Sequence, residues 1–91
     1  MVTYTYDQQL VEITEVKGEA DITFRVTIKS DEMRTRLKAL RAHLDHDKDF
    51  TDALFYTHLD GTYEVIVRND FYLPFLLQAF RLRCIESLSW K

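Results

Sequence analysis

Residues 53–68 read ALFYTHLDGTYEVIVR, two runs rich in β-branched and aromatic residues on either side of Asp60-Gly61. An Asp-Gly dipeptide suits the positive φ angles of a two-residue type I′ turn, so the stretch predicts a β-hairpin, Ala53 to Leu59 against Thr62 to Arg68. With Leu59 opposite Thr62, the residues Leu54, Tyr56 and His58 share a face with Tyr63, Val65 and Val67. Ala53, Phe55 and Thr57 then lie with Glu64, Ile66 and Arg68 on the other face. Downstream, a segment opening at Asn69-Asp70 with Pro74 in its first regular turn predicts a helix that continues through Ser89.

The N-terminal half follows the same order. Val11 and Ile13 alternate with Glu12 and Thr14, and Ile22, Phe24, Val26 and Ile28 alternate with Thr23, Arg25, Thr27 and Lys29. Period two predicts half-buried strands, with a turn at Lys17-Gly18-Glu19. Ser30 then offers an N-cap, Asp31 and Glu32 suit the positive end of a helix dipole, and Met33, Leu37, Leu40 and Leu44 recur at helical spacing. Thr23 to Asp31 overlies Thr62 to Asp70 at constant offset, and Leu37 falls on Leu76, so the chain divides into two ββα half-repeats, 10–47 and 51–90. Any amphipathic strand leading into a capped helix gives the same likeness, so duplication stays an alternative. Val2 to Tyr6 also alternates, as a short edge strand or the start of the first one. The expected fold is α+β in the order β-β-α-β-β-α: an antiparallel sheet of four or five strands with two helices packed on one face, in a single compact domain over 1–91.

Composition narrows the function. A chain of 91 residues holds one domain with a thin core. Twelve basic against 15 acidic residues give a net charge of −3, too mild to mimic nucleic acid and the wrong sign for generic phosphate binding. The single cysteine, Cys84, allows neither an internal disulfide nor a four-cysteine zinc site, and it reads as a buried, inert thiol. The opening residues lack the pattern of a signal peptide, and no run approaches the roughly 20 apolar residues of a membrane span, so a cytoplasmic protein with no membrane partner is expected.

Chemistry-bearing patterns are few. His43 and His46 stand three apart with Asp45, Asp47, Asp49 and Asp52 nearby, which could suit a metal-dependent activity over His43 to Asp49. As a calcium loop starting at Asp45, however, the stretch has Phe50 where the sharp turn needs glycine and Tyr56 where a bidentate glutamate should sit. It reads as a solvated helix end, with no metal and no cofactor expected. Arg34, Lys38 and Arg41 form a basic stripe at i, i+4 and i+7 that could track phosphates, the basis of an alternative reading as a nucleic-acid-associated regulator; acidic residues bracket it at both ends. Arg25, Lys29 and Arg68 make a second basic patch on the wet face, diluted by Glu12, Glu15 and Glu64. Phe55 is the one aromatic expected to face out there, so a base-stacking sheet is not expected. His58 is read as a hairpin-end contact within reach of Tyr63. No Gly-rich phosphate loop, nucleophile elbow or H-E-x-x-H motif occurs, so the chain is not expected to be an enzyme.

The informative anomaly is the second helix. Leu76, Leu77, Phe80, Cys84 and Leu88 make one apolar face, enough to cover a small sheet, while Phe71, Phe75, Gln78, Leu82 and Ile85 make a second row. That row either packs inside the monomer, between the first helix and the sheet, or meets a partner, where each large apolar side chain is worth roughly 1.5 to 3 kcal/mol before association costs. The expectation is a protein-binding or self-associating module, a homo-oligomer or the ligand of another protein, with Phe71, Phe75, Leu82, Ile85 and Trp90 at its interface.

Overall fold

The computed structural model describes residues 2–46 and 53–90, the side chains of Asp45 and His46 excepted. Its elements are β1 (Val2–Thr5), β2 (Val11–Lys17), β3 (Asp21–Ile28), α1 (Asp31–His46), β4 (Ala53–Thr57), β5 (Tyr63–Arg68), a 3-10 turn (Asn69–Phe71), α2 (Tyr72–Arg81) and β6 (Ser87–Trp90). The expected α+β architecture holds. Four strands form one antiparallel sheet in the order β2-β3-β5-β4, and β1 pairs with β6 in a separate ribbon. The four-stranded order is symmetric about the β3–β5 seam. There Arg25 lies opposite Glu64, its counterpart when the two halves are overlaid.

The first half folds as its pattern dictates. Ile22, Phe24 and Val26 are buried on the inner face of β3, and Met33, Leu37, Leu40 and Leu44 are buried on α1. Ser30 caps that helix, its hydroxyl accepting from the Met33 N–H at 3.1 Å. Because β2 pairs Val11 with Ile28 and Glu15 with Phe24, Glu15 stands on the inner face with Val11 and Ile13, not on the wet face with Glu12.

The second hairpin departs from its expected register by one residue. The Gly61 N–H donates to the His58 carbonyl at 3.0 Å and the His58 N–H to the Thr62 carbonyl at 2.9 Å, and only Gly61 in the turn has a positive φ, +88°. This is an ordinary turn over Leu59 and Asp60 followed by a left-handed bulge residue, whereas a type I′ turn needs positive φ at both central positions. The Asp60 carboxylate braces it by accepting from the Thr62 hydroxyl at 2.7 Å and the Thr62 N–H at 3.0 Å. The extra loop residue pairs Thr57 with Tyr63 and Phe55 with Val65. Phe55 therefore turns toward the core, while Leu54 and Tyr56 face solvent.

The second helix also ends earlier than expected, at Arg81 rather than Ser89. Arg83 takes the left-handed conformation, φ 63°, that glycine usually supplies at a helix end. Its N–H donates to the Phe80 carbonyl at 3.1 Å and the Cys84 N–H to the Ala79 carbonyl at 2.8 Å, closing the helix with paired reverse bonds. Arg36 on α1 holds the turn by donating to the Arg83 carbonyl at 3.2 Å. The chain then doubles back as β6, whose Ser87 to Trp90 pair with Thr5 to Val2. Thr3 and Thr5 share hydroxyl hydrogen bonds with Ser89 and Ser87, at 3.0 and 2.6 Å.

Both helices cover the inner face of the sheet, and the core forms where Phe24 meets α2. Its ring centroid lies 5.0 Å from that of Phe75 and 5.9 Å, stacked, from that of Tyr72.

Candidate functional site

The two apolar rows of α2 exchange roles only in part: Leu76 and Cys84 of the row expected on the sheet are buried, while Leu77 and Phe80 of that row face solvent. Phe71, Phe75 and Ile85, expected at an interface, are buried in the core of their own chain, and Leu82 is half-buried against it. Phe71 precedes the helix, Ile85 follows the turn at Arg83, and neither lies on a continuous helical seam. The inward face of α2 is Phe75, Leu76 and Ala79. Beside it around the helix, at i, i+4 and i+7, stand Leu73, Leu77 and Phe80; Leu73 is half-buried, while Leu77 is 50% exposed and Phe80 45%, although both of these were expected to cover the sheet. Trp90 alone among the five expected interface residues is widely exposed, at the end of the β1–β6 ribbon. Phe80 also lines a shallow depression with Arg36, Arg81, Arg83, Ile85 and Glu86. The outer side of α2 thus presents an apolar stripe with a largely basic rim at its C-terminal end.

A second concavity lies between the ribbon and the sheet. Val2, Thr3, Tyr4, Tyr6, Glu15, Lys17 and Tyr72 line a cleft of about 540 Å³. At its base the Tyr4 hydroxyl donates to Glu15 Oε2 at 2.8 Å, and Glu15 Oε1 is buried without a hydrogen-bond partner. Tyr6 donates to the Ile13 carbonyl at 3.2 Å. Burial, and then the Glu15 carboxylate, raise both the Tyr4 and Tyr72 hydroxyls above the ordinary phenol value, so they are donors and not bases at neutral pH. Sequence reasoning missed this cluster, although strict alternation from Val11 and Ile13 places Glu15 inward.

Other candidates are separated by the fold. Burial pushes the Cys84 thiol up to about 11, against the opposing pull of Arg36, leaving it protonated and a poor nucleophile. His58 pairs with Glu64, Nε2 to Oε2 at 2.9 Å, and not with Tyr63. Arg34, Lys38 and Arg41 do lie along α1, Arg34 half-buried and the other two exposed. His43 is exposed; Asp47, Asp49 and Asp52, and the side chains of Asp45 and His46, lie outside the described residues. Among the described residues no group of histidine, cysteine or carboxylate side chains could hold a metal, and no helix is long and apolar enough to cross a membrane.

Alkaline conditions test the buried donors. Tyr4, Tyr72 and Cys84 are held protonated in the folded state above their ordinary values of 10.0, 10.0 and 9.0. Raised values mean that the folded chain binds more protons than the unfolded one in that range, so this contribution is complete below pH 9 and is lost as pH rises. Urea midpoints followed by circular dichroism are expected to fall steadily above pH 9, and a flat profile to pH 11 would remove the assignment.

Compared with known proteins, the chain matches no family model, no curated protein and no solved structure. No family or fold likeness therefore indicates an enzymatic activity.

Proposed function

We propose that the chain is a small cytoplasmic protein-binding module that acts through its apolar C-terminal helix and carries out no covalent chemistry. The observation that supports it is the two-sided character of α2. One side, Phe75, Leu76 and Ala79, is spent on the core, and the other still offers Leu77 and Phe80 to solvent beside a half-buried Leu73. Each large apolar side chain gains roughly 1.5 to 3 kcal/mol on full burial. Aromatic and arginine side chains are the groups that interfaces favour, and Arg81 and Arg83 beside Phe80 suit a partner with acidic groups around its apolar contact. A lone, buried, reduced Cys84 fits a reducing compartment.

The double variant Leu77→Glu, Phe80→Glu tests the reading, because both side chains point away from the core. Its melting temperature should stay near the parent value, while the proteins retained by the parent chain in quantitative affinity capture are lost, about 100-fold for two anchors. Identical retention by parent and variant would reject the helix as the docking face.

A further inference from the structure

The sheet has two edges, and the chain treats them differently. Along β2, the Val11 N–H donates to the Asp7 carbonyl at 3.0 Å and the Ile13 carbonyl accepts from Tyr6, so the preceding segment covers that edge. Along β4, no described residue pairs with the outer side. The His58–Thr62 hydrogen bond sets the alternation of the β4–β5 ladder: His58, Tyr56 and Leu54 direct their backbone groups toward β5. Ala53, Phe55 and Thr57 direct theirs outward. The strand reads Ala53-Leu54-Phe55-Tyr56-Thr57, without the charge or proline that blunts exposed edges.

We propose that β4 pairs antiparallel with β4 of a second copy about a two-fold axis at Phe55, joining two sheets into one of eight strands. The strand is its own complement in this register. Phe55 meets its symmetry mate and Ala53 meets Thr57 of the other copy, so all three outward backbone pairs are satisfied. On the solvent face, Leu54 of each copy meets Tyr56 of the other. These side chains are 49% and 48% exposed in the single chain, and an aliphatic–aromatic cross-strand pair is a favourable one. With no charge in the strand, the two paired strands meet without like-charge repulsion between them. The inference stands apart from the α2 reading, which uses Leu77 and Phe80 and no residue of β4.

Register-specific cross-linking tests it, in a Cys84→Ser background. Opposed residues of a non-hydrogen-bonded pair lie about 4.5 Å apart at Cα, within disulfide reach. A mixture of Leu54→Cys chains and Tyr56→Cys chains should form a covalent dimer under mild oxidation, and either chain alone should not. Sedimentation velocity should show a parent dimer that Leu54→Lys, Tyr56→Lys converts to monomer, at least 100-fold weaker, while Leu77→Glu, Phe80→Glu leaves it intact. A parent chain monomeric at several hundred micromolar overturns the proposal. So does cross-linking by either cysteine chain alone, or a dimer that the α2 variant dissociates and the lysine variant does not.

Discussion

Phe75→Ala is expected to cost about 3 to 5 kcal/mol, and Leu77→Ala, two positions along the same helix, less than about 1 kcal/mol. Phe75 is 5% exposed, its ring packed 5.0 Å from that of Phe24, and removing it leaves a cavity between helix and sheet that the rigid β3–β5 seam cannot close. Leu77 is half exposed, beside that face around the helix, and loses little when shortened. For a domain of this size each kcal/mol moves the melting temperature by about 4 to 8 °C, so the first variant should melt more than about 12 °C below the parent. Thermal unfolding of the two variants side by side measures the rotation of α2 about its axis. Equal costs, or the reverse order, would mean that the helix presents its other row to the sheet.

That comparison also marks where the sequence stops being legible. The helix α1 was readable because one stripe, Met33, Leu37, Leu40 and Leu44, is apolar and the rest is not, so a single rotation buries it, and because Ser30 announces the start. In α2 nearly every position is apolar, and pattern alone cannot choose between two rotations that bury similar area. The choice is tertiary: Phe24 on β3 is flanked by Phe75 and Tyr72. The helix end was hidden for a different reason. Leu82-Arg83-Cys84 contains no glycine or proline, and the left-handed residue is an arginine whose carbonyl Arg36 holds from another helix. The strand β6 went unread with it, since Ser87 to Trp90 is short and alternates only once it has a partner in β1.

The hairpin shows a subtler failure. Asp60-Gly61 was a correct turn signal, but the dipeptide serves two turns: both residues central in one, Gly61 as bulge in the other. The difference is one residue of register, which in a strand exchanges faces completely. Thus Phe55 and Tyr56 changed places, and with them the character of the β4 edge. For Glu15 the period was legible and the residue's charge argued against it. Carboxylates rarely occupy inner faces, and this one is tolerated because Tyr4 reaches it from a strand 11 residues away.

Tyr4→Phe is the substitution through which that arrangement should respond most strongly. It removes the donor to Glu15 Oε2 while Oε1 already lacks one, leaving a half-buried carboxylate with only the neighbouring Tyr72 hydroxyl to stabilise its charge. A hydrogen bond to a charged group is worth about 1.5 to 3 kcal/mol, and the loss should fall toward the lower end of that range because Glu15 is only half-buried, its Oε1 enclosed but its side chain lining the cleft. Replacing Glu15 as well reverses the sign of the argument. In Tyr4→Phe, Glu15→Leu no carboxylate is left unsatisfied at that position, and the leucine extends the apolar surface of Val11 and Ile13, at the cost of the Tyr72 hydroxyl's carboxylate neighbour. The double variant should recover most of the stability lost by the single one, a coupling of at least about 1 kcal/mol in a double-mutant cycle measured by urea unfolding. Additive losses would show that Tyr4 and Glu15 act independently, and the cleft would then owe its shape to the ribbon backbone alone.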